Sequence, residues 1–131
     1  MRCNVVDSCG WLAYFTDSEN ADFFAPAVED TDSLIVPSIC VAEVFKVIVR
    51  EKGKDTALLV VSAMNQGRVR DLDMTIALQA AKLGLFYKLP LADSVVYATA
   101  KAEGAVVWTQ DKHFKHLDDV CFPGDAEDNP R

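Results

Sequence analysis

The chain has few of the residues that bind zinc or perform nucleophilic catalysis. It contains two histidines and four cysteines, and no two of these cysteines are separated by only two residues. A zinc site built from Cys and His is therefore not expected. Neither His113 nor His116 has a recognisable Ser or Cys partner in the sequence, which argues against a nucleophilic triad. Cys3 and Cys40 lie in apolar runs and are interpreted as small buried thiols.

Long hydrophobic runs and glycine-rich phosphate loops are also missing. No stretch approaches the roughly 18 consecutive apolar residues that a membrane span requires. The apolar part of residues 1–7 is too short for a secretory signal. The six glycines form neither a GxGxxG pattern nor a Walker loop. We therefore expect a cytoplasmic protein without membrane contact and without a dinucleotide or P-loop site.

The charge distribution is more informative than the formal net charge of −7. An acidic chain is unfavourable for nucleic-acid binding, because a phosphate backbone attracts Lys and Arg. Between Lys46 and Lys115, however, there are 11 Lys or Arg residues and 7 Asp or Glu residues. The acidic excess lies in residues 17–32 and after residue 117, where it is typical of solvated surface. A nucleic-acid partner therefore remains possible.

Short apolar segments alternate with helical segments along the 131 residues. Strands are predicted at Cys3–Val6, Leu34–Val36, Arg68–Arg70, Val106–Thr109 and Val120–Phe122. Helices are predicted at residues 10–15, 20–29, 38–52, 55–66, 73–87 and 93–103, with a helical turn at 111–116. Ser38 is predicted to be an N-cap, and Gly53 and Gly104 to end helices. The alternation indicates an α/β protein, a three-layer α/β/α sandwich with a mainly parallel central sheet.

Four carboxylates stand where apolar segments end or helices begin. Asp7 and Asp111 follow predicted strands, Asp93 opens a helix, and Glu43 interrupts an otherwise apolar helix. Because the carboxyl ends of parallel strands meet at one edge of the sheet, these side chains can form one cluster. Two carboxylates about 4 Å apart repel by roughly 4 kcal/mol at an effective dielectric near 20. A divalent ion removes this repulsion, and ligands that are all oxygen favour Mg²⁺ or Mn²⁺.

Each carboxylate also has a purely structural interpretation. Asp7, Asp93 and Asp111 all lie where a helix N-terminus favours an acidic side chain. Ser8 could cap the first helix as well as Asp7, which weakens the case for Asp7 as a cap.

Glu43 lies on the same helical face as Lys46 and Arg50, at i+3 and i+7. A Glu43–Lys46 pair would be an ordinary surface contact. Alternatively, Glu43 faces the acidic edge while Lys46 and Arg50 contact phosphates.

Four stretches of the sequence, VVDSCGWLAYF, IVPSICVAEVFKVI, LPLADSVVYATA and VVWTQDKHF, contain these carboxylates in order. They resemble the four acidic motifs of PIN domains, and most of all those of VapC-type ribonuclease toxins. The resemblance extends from Val5 to about Phe122. It implies a PIN-like nuclease domain over residues 1–122 and a polar, flexible tail over residues 123–131.

The resemblance also implies a function and a site. The protein would be a metal-dependent endoribonuclease in which Asp7, Glu43, Asp93 and Asp111 hold Mg²⁺ or Mn²⁺ and catalyse hydrolysis of RNA. Asp7 and Asp93 would be the more direct ligands, with Glu43 and Asp111 ligating or acting through water. Ser8 and Thr109 would support the site.

The resemblance further implies partners. VapC-type toxins form homodimers and are blocked by a small VapB-like antitoxin that covers the site. Six aromatic residues fit an antitoxin groove or, equally, the core: Trp11, Tyr14, Phe15, Phe23, Phe24 and Phe45.

Three alternatives remain. The chain could be a PIN nuclease of RNA processing or ribosome maturation that has no antitoxin. It could be a catalytically silent PIN-fold binding module, although the intact acidic set argues against this. A haloacid-dehalogenase-like phosphotransferase would use Asp7 as a nucleophile, but that chemistry requires a second Asp where this chain has Cys9.

Overall fold

A computed structural model describes residues 2–125 of the chain. Its strands are β1 (Asn4–Val6), β2 (Leu34–Pro37), β3 (Arg68–Arg70), β4 (Val106–Trp108) and β5 (Val120–Cys121). Its α-helices are α1 (Ser8–Phe15), α2 (Ala21–Glu29), α3 (Ser38–Lys52), α4 (Lys54–Met64), α5 (Met74–Tyr87) and α6 (Leu91–Glu103). Single 3₁₀ turns lie at Thr31–Ser33 and Lys112–Phe114.

The strands form one sheet in the order β3-β2-β1-β4-β5, and every neighbouring pair is parallel. Parallel strands require crossover connections, which the helices supply. The inner strands are buried on both faces: Val5, Val36 and Val107 have no exposed surface. This burial explains why the inner strands are continuous apolar runs and not alternating patterns. The predicted α/β/α sandwich with a parallel sheet is confirmed.

The start of α3 differs from the prediction. The helix begins at Ser38 itself, and Pro37 occupies the N-cap position with φ −62° and ψ 133°. Ser38 Oγ instead accepts a hydrogen bond of 3.3 Å from the backbone N–H of Leu72. Ser38 therefore stabilises the loop before α5 rather than its own helix. Helix α1 also starts earlier than predicted, at Ser8, because Asp7 rather than Ser8 is its N-cap.

Glycine ends two helices as predicted and permits a close helix contact at a third position. Gly53 has φ +91° and Gly104 has φ +63°, and both follow the last helical residue. A Cβ atom on Gly84, inside α5, would lie 2.6 Å from Ser94 Oγ in α6. Gly84 is unfavourable inside a helix, but its lack of a side chain permits α5 to pack closely on α6.

The C-terminal end of the domain agrees broadly with the sequence pattern. Strand β5 ends at Cys121, one residue before the predicted end, and β4 ends at Trp108 rather than Thr109. The predicted tail covers residues 123–131, of which 126–131 lie outside the described residues. No helix within residues 2–125 has both the length and the apolar character of a membrane span.

Candidate metal centre

The strand order creates a crevice at the carboxyl ends of β1 and β4. From β1 the chain adds β2 and β3 on one side, and it then returns to place β4 and β5 on the other. Such a reversal leaves the loops after the two central strands on diverging paths, and ligands of open α/β sheets bind there. Asp7 follows β1, and its N–H donates to the carbonyl of Trp108 at 3.0 Å. The loop after β4, with Thr109 and Asp111, therefore lies directly beside Asp7.

Asp7 is buried and held on both carboxylate oxygens. Its side chain is only 3% exposed. Oδ1 accepts a 2.6 Å hydrogen bond from the N–H of Ser8, and Oδ2 accepts one of 2.9 Å from Thr109 Oγ1. The Cys9 thiol also donates to Oδ2 at 3.5 Å. Asp7 is thus both the N-cap of α1 and a fixed acidic group in the crevice, so the two interpretations of this residue are compatible.

Thr109 joins the first acidic residue to the last. Its hydroxyl donates to Asp7 Oδ2 and accepts a 2.9 Å hydrogen bond from the backbone N–H of Asp111. Thr109 has no exposed surface, so water cannot replace either bond. The loop after β4 is therefore held in register with the carboxylate that follows β1.

Asp93 and Asp111 meet at a histidine that the sequence did not identify as part of the site. His113 Nδ1 lies 2.7 Å from Asp111 Oδ1 and 3.2 Å from Asp93 Oδ2. The three side chains have ligand atoms within 4.8 Å of one another. Asp93 lies in the first turn of α6, and Asp111 caps the 3₁₀ turn that contains His113. The structure therefore brings the third and fourth acidic motifs together.

Glu43 lies on α3 and also lines this crevice. Ligand atoms of Asp7, Glu43 and Cys40 lie within 4.8 Å of one another. The Ser8 side chain makes a hydrogen bond that lowers the pKa of Glu43, and it also lies 3.4 Å from Asp7 Oδ1. The Ser8 hydroxyl therefore lies between the first two acidic residues and can donate its proton to either one.

Two cysteines line this part of the crevice, but both thiols remain protonated. Burial, and after it the nearby charge of Asp7, raises the pKa of Cys9 to about 12. Complete burial, with Asp7 and Glu43 close by, raises the pKa of Cys40 well above its usual value. A thiol binds metal as the thiolate. The oxygen atoms are therefore the ligands available here at neutral pH, which suits a hard cation.

Burial and mutual repulsion raise the pKa of three of the four carboxyl groups. Desolvation is the main cause for Asp7, Glu43 and Asp93, and in each case at least one neighbouring carboxylate adds to it. The pKa of Asp93 rises to about 7 because of desolvation first, then the charges of Asp111 and Asp7. A cation bound beside these three acids would favour their ionised forms and offset the repulsion between their charges.

That cation is not supplied by a Lys or Arg of the described residues. Elsewhere on the domain Glu103 pairs with Arg68 and Arg70, and Asp119 with Arg2 and Lys101. Within residues 2–125, no Lys or Arg lies within 4.0 Å of the carboxylate oxygens of Asp7, Glu43, Asp93 or Asp111. Four convergent carboxylates with no Lys or Arg beside them, and with His113 against two of them, fit a divalent metal ion that prefers oxygen.

The predicted phosphate contacts lie on the surface. Lys46 and Arg50 are exposed on α3, and Arg50 makes one loose contact of 3.7 Å with its neighbour Glu51. The Glu43–Lys46 ion pair considered above is not formed among the described residues. Glu43 is thus directed to the acidic crevice, and contact of Lys46 and Arg50 with RNA stays a prediction.

Comparison with known proteins agrees with the architecture. The family model of the PIN domain matches residues 5–120, so the chain belongs to the PIN domain family. No curated protein sequence matches the chain significantly. Membership of this family leaves the haloacid-dehalogenase alternative without support.

Three solved structures show how widely this fold is shared. A toxin–antitoxin complex from Klebsiella pneumoniae has a TM-score of 0.75 and 20% identity, over 89% of this chain and 94% of that chain. DNA-bound VapBC from Salmonella typhimurium has a TM-score of 0.71 and 17% identity, over 92% and 96% of the chains. VapC20 from Mycobacterium tuberculosis, described as a sarcin–ricin loop-cleaving toxin, has a TM-score of 0.72 and 13% identity, over 86% and 92%. At these identities the likeness is one of fold.

The raised pKa of Asp93 predicts how stability depends on pH. The folded pKa of about 7 exceeds the unfolded value near 3.9. The folded state therefore binds the Asp93 proton more tightly than the unfolded state does. Protonation of Asp93 stabilises the fold fully below pH 4, and this stabilisation is lost as pH rises through 7. In EDTA, the free energy of unfolding should fall between pH 5 and pH 8. Asp93→Asn should remove part of that fall and be the more stable protein at pH 8.

The control for this urea-unfolding measurement is Asp17→Asn. Asp17 is exposed and has φ +52°, a conformation that Asn tolerates. If Asp93→Asn shows the same pH dependence as Asp17→Asn and the unchanged protein, the acidic crevice does not carry the repulsion described here.

Proposed function

We propose that this chain is a metal-dependent endoribonuclease that hydrolyses RNA phosphodiesters, the toxin of a VapC-type toxin–antitoxin pair acting in the cytoplasm. One observation carries the proposal. Four carboxylates, Asp7, Glu43, Asp93 and Asp111, converge at the carboxyl edge of the sheet, and no Lys or Arg of the described residues pairs with them. Two comparisons support the same proposal. The domain belongs to the PIN family, and toxin structures share its fold.

The four carboxylates would hold Mg²⁺ or Mn²⁺. When bound, such an ion supplies a water of lowered pKa and a Lewis acid for a phosphodiester oxygen. Asp7 and Asp93 would be the more direct ligands, and Glu43 and Asp111 would ligate or act through water. Thr109 Oγ1 donates to Asp7 Oδ2 at 2.9 Å and so fixes the orientation of that carboxylate.

RNA is the proposed substrate because a basic surface lies beyond the acidic crevice. Lys46 and Arg50 extend the face of α3 that begins at Glu43, and both side chains are exposed. Each can neutralise one backbone phosphate, while the acidic edge receives the scissile one. Unpaired loops are the expected target, since their bases can be contacted individually. The description of VapC20 as a toxin that cleaves the sarcin–ricin loop is in keeping with such a substrate.

A second copy of this chain would cover the exposed apolar stripe of α5. Met74, Leu78 and Leu85 recur at helical spacing along one face and are 73%, 59% and 84% exposed. The exposed Asp71 precedes this stripe and the exposed Lys88 follows it. Two antiparallel copies of α5 would place each Asp71 near the partner's Lys88, so the surface is complementary to itself. These features support a homodimer.

The antitoxin would use a different surface, a concave apolar groove between α3 and α4. This groove has a volume of about 400 Å³ and is lined chiefly by apolar side chains, among them Val41, Phe45, Leu58 and Val61. A concave apolar groove suits an amphipathic peptide. Of the other aromatic residues considered for this role, Trp11 and Phe24 have no exposed surface and belong to the core.

Loss of a single carboxylate should abolish cleavage. Asp7→Asn and Asp93→Asn each replace a proposed ligand oxygen with an amide of the same shape. We expect the cleavage of total cellular RNA in Mn²⁺ to fall more than about 100-fold, beyond the range typical of groups outside the metal's own ligand shell. The measurement is the rate at which discrete fragments accumulate, at matched circular dichroism, with EDTA as the metal-free reference.

Asp17→Asn should cut RNA as fast as the unchanged protein. Full activity of Asp7→Asn or Asp93→Asn would disprove the site. If nothing is cut by any variant but Mn²⁺ still raises the melting temperature, the catalytically silent or narrowly specific alternative would be preferred.

Substitutions on the two apolar surfaces should affect dimerisation and antitoxin binding separately. Leu85→Glu places a charge in the α5 stripe and should convert a dimer into a monomer, measured by light scattering. Val61→Glu should leave the dimer intact and abolish binding of the small antitoxin encoded beside this chain, measured by co-purification. A dimer that survives Leu85→Glu, or antitoxin binding that survives Val61→Glu, would contradict the assignment of that surface. The absence of any such antitoxin would favour the RNA-processing alternative.

A further inference from the structure

We propose that His113 is a nitrogen ligand of the metal centre and that it makes the site selective for Mn²⁺ over Mg²⁺. The inference rests on the proposed metal-dependent function and goes beyond the four carboxylates that define it. It would answer a question that the carboxylates leave open, because four oxygen ligands accept both ions.

The spacing of the ligand atoms is the first reason. His113 Nδ1 lies 2.7 Å from Asp111 Oδ1 and 3.2 Å from Asp93 Oδ2, and the ligand atoms of the three side chains lie within 4.8 Å of one another. Adjacent ligands of an octahedral ion with bonds of about 2.1 Å lie roughly 3 Å apart. The nitrogen therefore has the separation from both carboxylates that neighbouring ligands of one ion require.

The local backbone keeps the imidazole in this position. Asp111 Oδ1 accepts a 2.9 Å hydrogen bond from the N–H of His113, which fixes the first turn after Asp111. The next residue, Phe114, has no exposed surface and anchors that turn in the core. His113 itself is 56% exposed, yet both its main chain and its Nδ1 are tied to the acidic residues. It is therefore directed into the site and not simply a surface side chain.

The chemistry of neutral imidazole permits this role without added charge. Without metal, an Nδ1–H can donate to the two carboxylates. With metal, the proton resides on Nε2, on the exposed ring, and the Nδ1 lone pair faces the ion.

The nitrogen ligand accounts for the selectivity. Mg²⁺ prefers oxygen ligands and retains its waters, whereas imidazole binds transition metals better. An ion held by carboxylates and one imidazole should therefore be Mn²⁺ in preference to Mg²⁺. If His113 only oriented the carboxylates by hydrogen bonds, its loss would weaken both ions alike.

The test detects nitrogen directly, by electron spin echo envelope modulation of Mn²⁺ bound to the untagged protein. The chain has only two histidines, so the signal can be assigned by substitution. We expect imidazole ¹⁴N modulation in the unchanged protein and in His116→Gln, and none in His113→Gln or His113→Asn. The ratio of Mn²⁺ to Mg²⁺ affinity, from thermal shifts, should fall roughly tenfold in the His113 variants.

Each other outcome is decisive. Mn²⁺ that binds without ¹⁴N modulation, or with modulation that persists in both His113 variants, would overturn ligation by His113 while leaving the carboxylate site intact. A Mn²⁺-to-Mg²⁺ ratio that does not change would overturn the selectivity. Failure of the unchanged protein to bind Mn²⁺ would overturn this inference and the proposed function together. Because His113 is largely exposed, both substitutions should preserve the fold, as circular dichroism would verify.

Discussion

Burial of several carboxylates side by side at the carboxyl edge of the sheet, reinforced by their mutual repulsion, is the constraint on which the rest of this structure depends. The pKa values of Asp7, Glu43 and Asp93 are all raised, and burial is the first cause in each case. The fold holds these groups together with short-range hydrogen bonds, above all those of Thr109 and Ser8. A site assembled against repulsion in this way is prepared for a cation, since an ion binds without first having to gather its ligands.

The remainder of the domain serves this edge. Parallel strands bring together residues that are about a hundred positions apart, such as Asp7 and Thr109. Ion pairs on the outside, including those of Glu103 and Asp119, neutralise acids that lie away from the crevice. The apolar stripe of α5 and the groove between α3 and α4 lie on surfaces that the acidic edge does not use.

Much of this arrangement could be predicted from the sequence. The alternation of apolar strands with helices predicts a parallel sheet, and the positions of Asp7, Asp93 and Asp111 at the end of a strand or the start of a helix predict the edge that they face. Glu43 lies inside α3 and has no such positional signal. Contacts between distant side chains leave no such pattern. The placing of His113 between Asp93 and Asp111 depends on a 3₁₀ turn, and the thiol of Cys40 comes near Asp7 only after folding. Ser38 illustrates the same limit, because its hydroxyl serves Leu72, a residue 34 positions away.

The most direct test of the metal centre is anomalous diffraction from crystals of the untagged protein soaked in Mn²⁺. The account predicts an anomalous peak in the crevice within about 2.0–2.3 Å of carboxylate oxygens of Asp7 and Asp93. An empty crevice in crystals that contain Mn²⁺ elsewhere, or a Lys or Arg side chain occupying that position, would contradict it.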